Sequence, residues 1–237
     1  MKIFIQFAAF IVVMFLLQGY SCIGERYYGP PEKETRKVGG FDAIEVSHGI
    51  EVYLTMDSTV QVNVEAAEDL LEHLVTEVKG ETLKIYFDRP FNWNSQAKVW
   101  IQAKEINMIN ISGGVDFYGE SLLETRDLEI KASGGSDIRL EVKTKTVDVD
   151  ISGGADVVLS GSTVNLWANS SGGSDLNAFE LVAQKADLDA SGGSDIKAYV
   201  EEELDANASG GADISYRGNP QVVNTKTSAS GDITHRN

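Results

Sequence analysis

The sequence predicts an all-β fold, a β-solenoid of stacked rungs about 20 residues long. Three observations predict it. A Ser-Gly-Gly-x-Asp motif followed by an apolar residue recurs six times, starting at Ser112, Ser133, Ser152, Ser171, Ser191 and Ser209. Ser230-Gly231-Asp232-Ile233 reads as a seventh copy lacking one residue, which makes the intervals 21, 19, 19, 20, 18 and 21. Around each motif, apolar or small residues alternate with polar ones, as in Leu128, Ile130, Ala132 before one turn and Ile138, Leu140 after it. Strict alternation is the signature of a strand with one buried face; helical spacing is absent.

From the N-terminus, Met1-Lys2 and the apolar run Ile3–Leu17 read as a signal peptide over residues 1–21, too short to span a bilayer comfortably. Cys22, the single cysteine of the 237-residue chain, follows Gly19 and Ser21 and resembles the lipidated cysteine of a bacterial lipoprotein box, although Gly19 stands where such boxes usually carry Leu. Lipidation would account for an otherwise odd free thiol in an oxidising compartment and would make the membrane a partner through the N-terminal lipid. Ordinary secretion, with Cys22 as a passenger, and an uncleaved anchor stay open. Residues 22–37 carry charge and prolines without apolar periodicity and read as a flexible tether.

The solenoid is expected over 38–237, with irregular N-terminal rungs at 38–110 and the Ser-Gly-Gly-x-Asp repeats at 111–237. Within the first part, Phe41–Leu54, Val60–Val64, Leu83–Phe87 and Lys98–Gln102 read as strands, and Glu65–Leu74 has room for one helical turn. Ser47-His48-Gly49-Ile50 looks like a degenerate motif. Leucine-rich repeats are excluded by the missing Leu/Asn spacing; a propeller stays open only if two rungs make one blade.

A rung of 20 residues buries its apolar face only by stacking on its neighbours, about 4.8 Å away. The glycines then suit one tight turn repeated on every rung, with Ser and Asp side chains expected on the turn amides. Stacking would also align Asp116, Asp137, Asp156, Asp175, Asp195, Asp213 and Asp232. Carboxylates at that spacing repel by about 0.9 kcal/mol per pair even in bulk water. Hydrogen bonding with solvent exposure, or Ca²⁺ held between rungs, would offset this. The calcium-binding nonapeptide Gly-Gly-x-Gly-x-Asp does not match.

Phe41-Asp42-Ala43-Ile44-Glu45-Val46-Ser47-His48-Gly49-Ile50-Glu51-Val52, then Leu83-Lys84-Ile85, then the serial motif, resemble the putative auto-transporter adhesin, head GIN domain family across roughly 38–235. The resemblance implies a single-stranded right-handed parallel β-helix in a protein exported by Bacteroidetes-type bacteria, often as a lipoprotein of the outer membrane on its surface or periplasmic face. It transfers no catalytic residues.

The formal charge of −16 and pI near 4.5 argue against nucleic acid as a partner. His48, His73 and His235 share no metal-ligand spacing, no Gly-x-Ser-x-Gly elbow occurs, and the serines multiply one structural element. An enzyme needs a singular constellation, so no catalytic residues are expected. The aromatic-rich segment 88–100 is the non-repetitive exception: Phe91, Trp93 and Trp100 are candidate glycan contacts, or else an end cap over the first rungs. The expected function is a non-catalytic, adhesin-like binding or structural module of the cell envelope, with a surface glycan or protein as ligand and self-association through the solenoid ends open to it. The alternatives are a carbohydrate-binding or carbohydrate-active β-helix and a Ca²⁺-dependent adhesive rod.

Overall fold

The structure, a computed structural model, describes residues 29–90 and 97–237. Cys22, Phe91 and Trp93 lie outside them, as does the signal peptide. The fold is all-β, 72 % strand and 2 % helix, with parallel strands stacked into a solenoid of about seven turns.

The first half contains β1 (Pro31–Arg36), β2 (Ala43–Ser47), β3 (Ile50–Met56), β4 (Gln61–Ala67), α1 (Glu68–Leu71), β5 (Leu74–Lys79), β6 (Thr82–Phe87), β7 (Ala97–Ala103), β8 (Met108–Ser112) and β9 (Asp116–Gly119). The repeats form β10 (Leu123–Glu124), β11 (Asp127–Gly134), β12 (Asp137–Lys143), β13 (Thr146–Gly153), β14 (Asp156–Gly172), β15 (Asp175–Gly192), β16 (Asp195–Gly210), β17 (Asp213–Arg217), β18 (Val222–Ala229) and β19 (Asp232–His235). The strands leading into the Ser-Gly-Gly corner stack on one another, and so do the strands leaving it.

The alternation becomes the core. Leu128, Val147, Leu166, Ala186 and Leu204 are in register on successive rungs, as are Ile130, Val149, Ala168, Leu188 and Ala206. None of these is more than 6 % exposed. Each rung alone would leave these side chains in water; stacking removes them, at about 25 cal/mol for each Å² of apolar surface.

The unequal repeat intervals are absorbed away from the Gly corner. Register shifts fall between Val158 and Ser160, Ala178 and Val182, and Ala183 and Lys185, while Ser171, Ser191 and Ser209 stay aligned. The second corner is tight too: Gly161 has φ +106°, and a Cβ there would lie 2.0 Å from the Val142 carbonyl oxygen.

Three expectations change, and the N-terminal strand order adds a feature on which the sequence gives no expectation. Residues 31–36, expected within the tether, form β1, antiparallel to β4; its Pro-Glu-Lys-Glu-Thr-Arg sequence has no apolar period because it is an exposed edge strand held by its backbone. The N-terminal rungs are not laid down in order: β6 and β7 lie outside β2 and β3, which touch β8 and β9 on their other side. The stacking there is not wholly parallel, because β4 pairs with β7, and β5 with β6, in antiparallel sense. Finally, the last repeat is not shortened. Ser228 is in register with Ser209, Ala229 with Gly210 and Asp232 with Asp213, so the copy reads Ser228-Ala229-Ser230-Gly231-Asp232 and is full length.

The expected helical turn is α1, which buries Leu70 and Leu71. The degenerate motif is also a true corner: His48 at φ +72° and Gly49 at φ +62° sit against the next corner, with the Gly49 amide donating to the Gly113 carbonyl at 3.0 Å.

Candidate functional site

Three rows of outward side chains are candidates for function, and the corner sets the register of all of them. The first glycine of each motif takes a left-handed backbone, φ +80° at Gly153. A Cβ there would stand 3.1 Å from the Gly134 nitrogen, so conformation and close approach both demand glycine. The second glycine's amide bonds to the rung before, as Gly154 to the Gly134 carbonyl at 2.8 Å and Gly173 to the Gly153 carbonyl at 2.8 Å.

The variable residue of the motif is the one that points inward. Val115, Ser136, Ala155, Ser174, Ser194 and Ala212 are each 0 % exposed. Where it is serine, its hydroxyl closes the turn: Ser136 Oγ donates to the Ser133 carbonyl at 2.9 Å, and Ser194 Oγ to the Ser191 and Ser170 carbonyls, both at 3.0 Å. In the three copies that carry serine here, this residue, rather than the motif's leading Ser or its Asp, bonds across the turn. All six are small or apolar and none is charged, a signal that was present in the sequence.

The first outward row is the aspartate ladder. Asp116, Asp137, Asp156, Asp175, Asp195, Asp213 and Asp232 stack in register, and Glu51 extends the row. Their amides are tied rung to rung, as Asp156 N to the Ser136 carbonyl at 2.9 Å. Burial first, then Asp137 and Asp175, push the Asp156 carboxyl above its usual range; burial, Asp137 and Glu51 do the same at Asp116. Among the described residues no three His, Cys, Asp or Glu side chains are gathered as a metal cluster. The carboxylates form a line, one per rung, and a line places few oxygens around any one point, whereas Ca²⁺ takes six to eight.

The second row is aromatic. Trp100 and Tyr53 stack with centroids 5.7 Å apart, and Tyr53 and Tyr118 at 5.6 Å. Lys33 Nζ lies 4.6 Å from the Trp100 ring, and Arg139 5.8 Å from Tyr118. Lys33 comes from β1, on the β4 side of Trp100, opposite Tyr53. Both faces of Trp100 are therefore engaged inside the protein. Tyr53 also donates to Glu51, whose carboxyl is held below its usual range by that bond and by Lys98 at 2.9 Å.

The third row holds the residue that sequence reasoning passed over. Met108, Glu129, Asp148, Trp167, Asp187 and Asp205 follow one another in register. Trp167 is 49 % exposed. A groove of about 490 Å³ runs from its indole past Asp148, Thr146 and Glu129 to Met108. In one dimension Trp167 is an unremarkable strand residue; only register shows that it interrupts a row of carboxylates.

Stacked rungs, a glycine corner in strict register and outward rows of like residues define a β-solenoid whose chemistry is displayed along its surface. The chain belongs to the family described as "Putative auto-transporter adhesin, head GIN domain", whose pattern covers residues 40–220. Among solved structures it is similar to a putative adhesin from Bacteroides fragilis, with 22 % identity and a TM-score of 0.85 over 90 % of this chain and 100 % of that one. It is also similar to a putative lipid binding protein from Parabacteroides distasonis, with 23 % identity and a TM-score of 0.73 over 89 % and 98 % of the two chains. A putative adhesin from Parabacteroides merdae matches at 17 % identity and a TM-score of 0.72 over 89 % and 98 %. These likenesses are to the fold. No curated protein matches.

Proposed function

We propose that this chain is an exported, non-catalytic binding module tethered to the cell envelope through lipidated Cys22, presenting the outer rows of its solenoid to a ligand. One observation carries the reading. Inward positions are filled by side chains throughout, so chemistry is laid out in lines on the outside rather than gathered at one point. Catalysis needs the second arrangement; adhesion to an extended surface is served by the first. Family membership supports adhesion over other binding roles. A lipid ligand, the description of one structural neighbour, would have to sit on an outer face as well, because the inward positions are occupied.

The experiment is protease shaving of intact cells, paired with beads coated with the full chain and offered to candidate cell surfaces. Cleavage on intact cells together with bead adhesion upholds the reading. Protection until the outer membrane is permeabilised, with no adhesion, overturns it in favour of a periplasmic scaffold. Cys22→Ser tests the anchor: the protein should leave the membrane fraction.

A further inference from the structure

Three half-buried rings on this solenoid have a cation from another strand laid over them. Lys33 lies 4.6 Å from Trp100, Arg139 5.8 Å from Tyr118, and Arg217 4.2 Å from Phe179. A ring quadrupole attracts such groups, most strongly for tryptophan. Trp167 breaks the pattern. Its in-register neighbours are Asp148 and Asp187, so no cation comes from the adjacent rungs at that position. Among the described residues it makes neither a ring stack nor a cation contact. It is also the most exposed of the large apolar side chains that stand out to solvent, at 49 %.

Its surroundings carry surplus negative charge. Asp148 has its carboxyl raised above the usual range by burial and then by Glu129 and Asp150. Asp187, on the other side of the indole, is raised by burial and then by Asp189 and Asp205. In the groove itself Glu129 is paired with Lys131, while Asp148 feels that lysine only as the smallest of its influences. A neutral ligand covering the indole would desolvate these carboxylates further and leave their repulsion in place. A cation would relieve it and take the open ring face together.

We propose that the Trp167 groove docks a lysine or arginine side chain of a basic protein segment, seated on the indole with Asp148 beside it and Glu129 further along. This rests on the binding-module reading and names the partner class for it. The groove spans the rungs of Met108, Glu129, Asp148 and Trp167, three strand spacings or roughly 14 Å, which is room for a short extended segment.

The test is calorimetric titration of the full chain with a nine-residue peptide alternating arginine and glycine. Trp167→Ala should weaken binding about tenfold or more and Asp148→Asn several-fold, and raising salt from 0.05 to 0.5 M should weaken the wild type markedly. Asp232→Asn removes the same charge at the far end of the aspartate ladder and should leave affinity unchanged. Equal losses in Asp148→Asn and Asp232→Asn with none in Trp167→Ala would overturn the proposal, because attraction would then be to net charge, and no loss in any variant would overturn it because the peptide would then bind elsewhere. It would also fall if a neutral oligosaccharide bound in a Trp167-dependent way and the peptide did not. Beads of Trp167→Ala that still adhere to cells like the wild type overturn this inference and leave the binding-module reading intact. Wild-type beads that adhere to nothing overturn that reading itself.

Discussion

Ala229 stands over Gly210 at the corner of the last rung and takes the same left-handed backbone, φ +58° against +75°. Each of the six Ser-Gly-Gly-x-Asp copies has glycine at this position, and His48 of the degenerate corner is the other residue with a side chain there. An L-residue pays roughly 1–2 kcal/mol for that conformation, part of which glycine gives back as unfolded-state freedom. Ala229→Gly should therefore stabilise the chain by about 0.5–1 kcal/mol, read as a higher urea midpoint at unchanged m-value. Hydrogen exchange should slow at Ser230 and Asp232, whose amides bond to the preceding rung.

Deep in the stack the reverse substitution should be costly. Gly153→Ala combines positive φ with a Cβ 3.1 Å from Gly134 and should lose about 2 kcal/mol or more. Gly161→Ala meets the Val142 carbonyl oxygen at 2.0 Å and should lose about 3 kcal/mol or more, or shift register at that corner. Thermal unfolding of the two variants beside Ala229→Gly orders the three. A Gly153→Ala or Gly161→Ala variant as stable as the wild type would refute the close approach of backbone at these two corners.

Ser174 donates to the Ser171 carbonyl at 2.9 Å inside the turn, yet Ala155 and Ala212 fill the equivalent place on other rungs. Ser174→Ala should then cost about 1 kcal/mol or less, whereas Ser174→Asp buries a carboxylate and should cost more than about 3 kcal/mol. Denaturant titration separates them. A large loss on Ser174→Ala would mean that the hydroxyl chain through Ser170 acts as a unit.

The raised carboxyl of Asp156 has a definite sign. Its folded pKa lies above the ordinary value, so the folded state holds its proton more tightly, and stability falls as pH rises from the ordinary carboxylate range through the folded value. Asp156→Asn should abolish that part of the slope. At neutral pH it should stabilise by about 0.5 kcal/mol after screening, and by less in 1 M NaCl. Calcium offers the counter-test: a melting temperature raised by Ca²⁺ well beyond the effect of equal Mg²⁺ would make the ladder an ion site after all.

Trp100→Ala should destabilise by about 1–2 kcal/mol, because the ring lies between Tyr53 and Lys33. Glycan-array binding compared between this variant and the wild type separates a packing role from a recognition role. Loss of a specific glycan at unchanged stability would make Trp100 a glycan contact.

Much of this was readable in one dimension because solenoid burial follows local alternation. Leu128, Ile130 and Ala132 announce their inward direction without reference to any other rung. The harder features depend on which strands meet. The order β6, β2, β8 leaves no local trace, since each strand has the same period whichever neighbour it takes. β1 leaves no alternating signal because its backbone pairs at an edge and its side chains, which make polar contacts such as Lys33 with Glu65 and Thr35 with Asn63, have no apolar face to bury. In the last repeat Ala229 and Ser230 replace both glycines of the motif, and only register with Gly210 reveals the alignment. Trp167 became notable only beside Asp148 and Asp187.

The way length variation is kept away from the glycine corner has a bearing on how such a protein changes over generations. Val158–Ser160 and Ala178–Val182 take up extra or missing residues while the glycine corner stays aligned. A tandem duplication of one coding unit would therefore insert a rung without disturbing those around it, lengthening the body by about 4.8 Å. A slip of one or two codons at the second corner would be tolerated, and the same slip at the glycine corner would not. Copy number becomes an adjustable dimension, setting how long the outer rows run while the chemistry of each row is inherited unchanged.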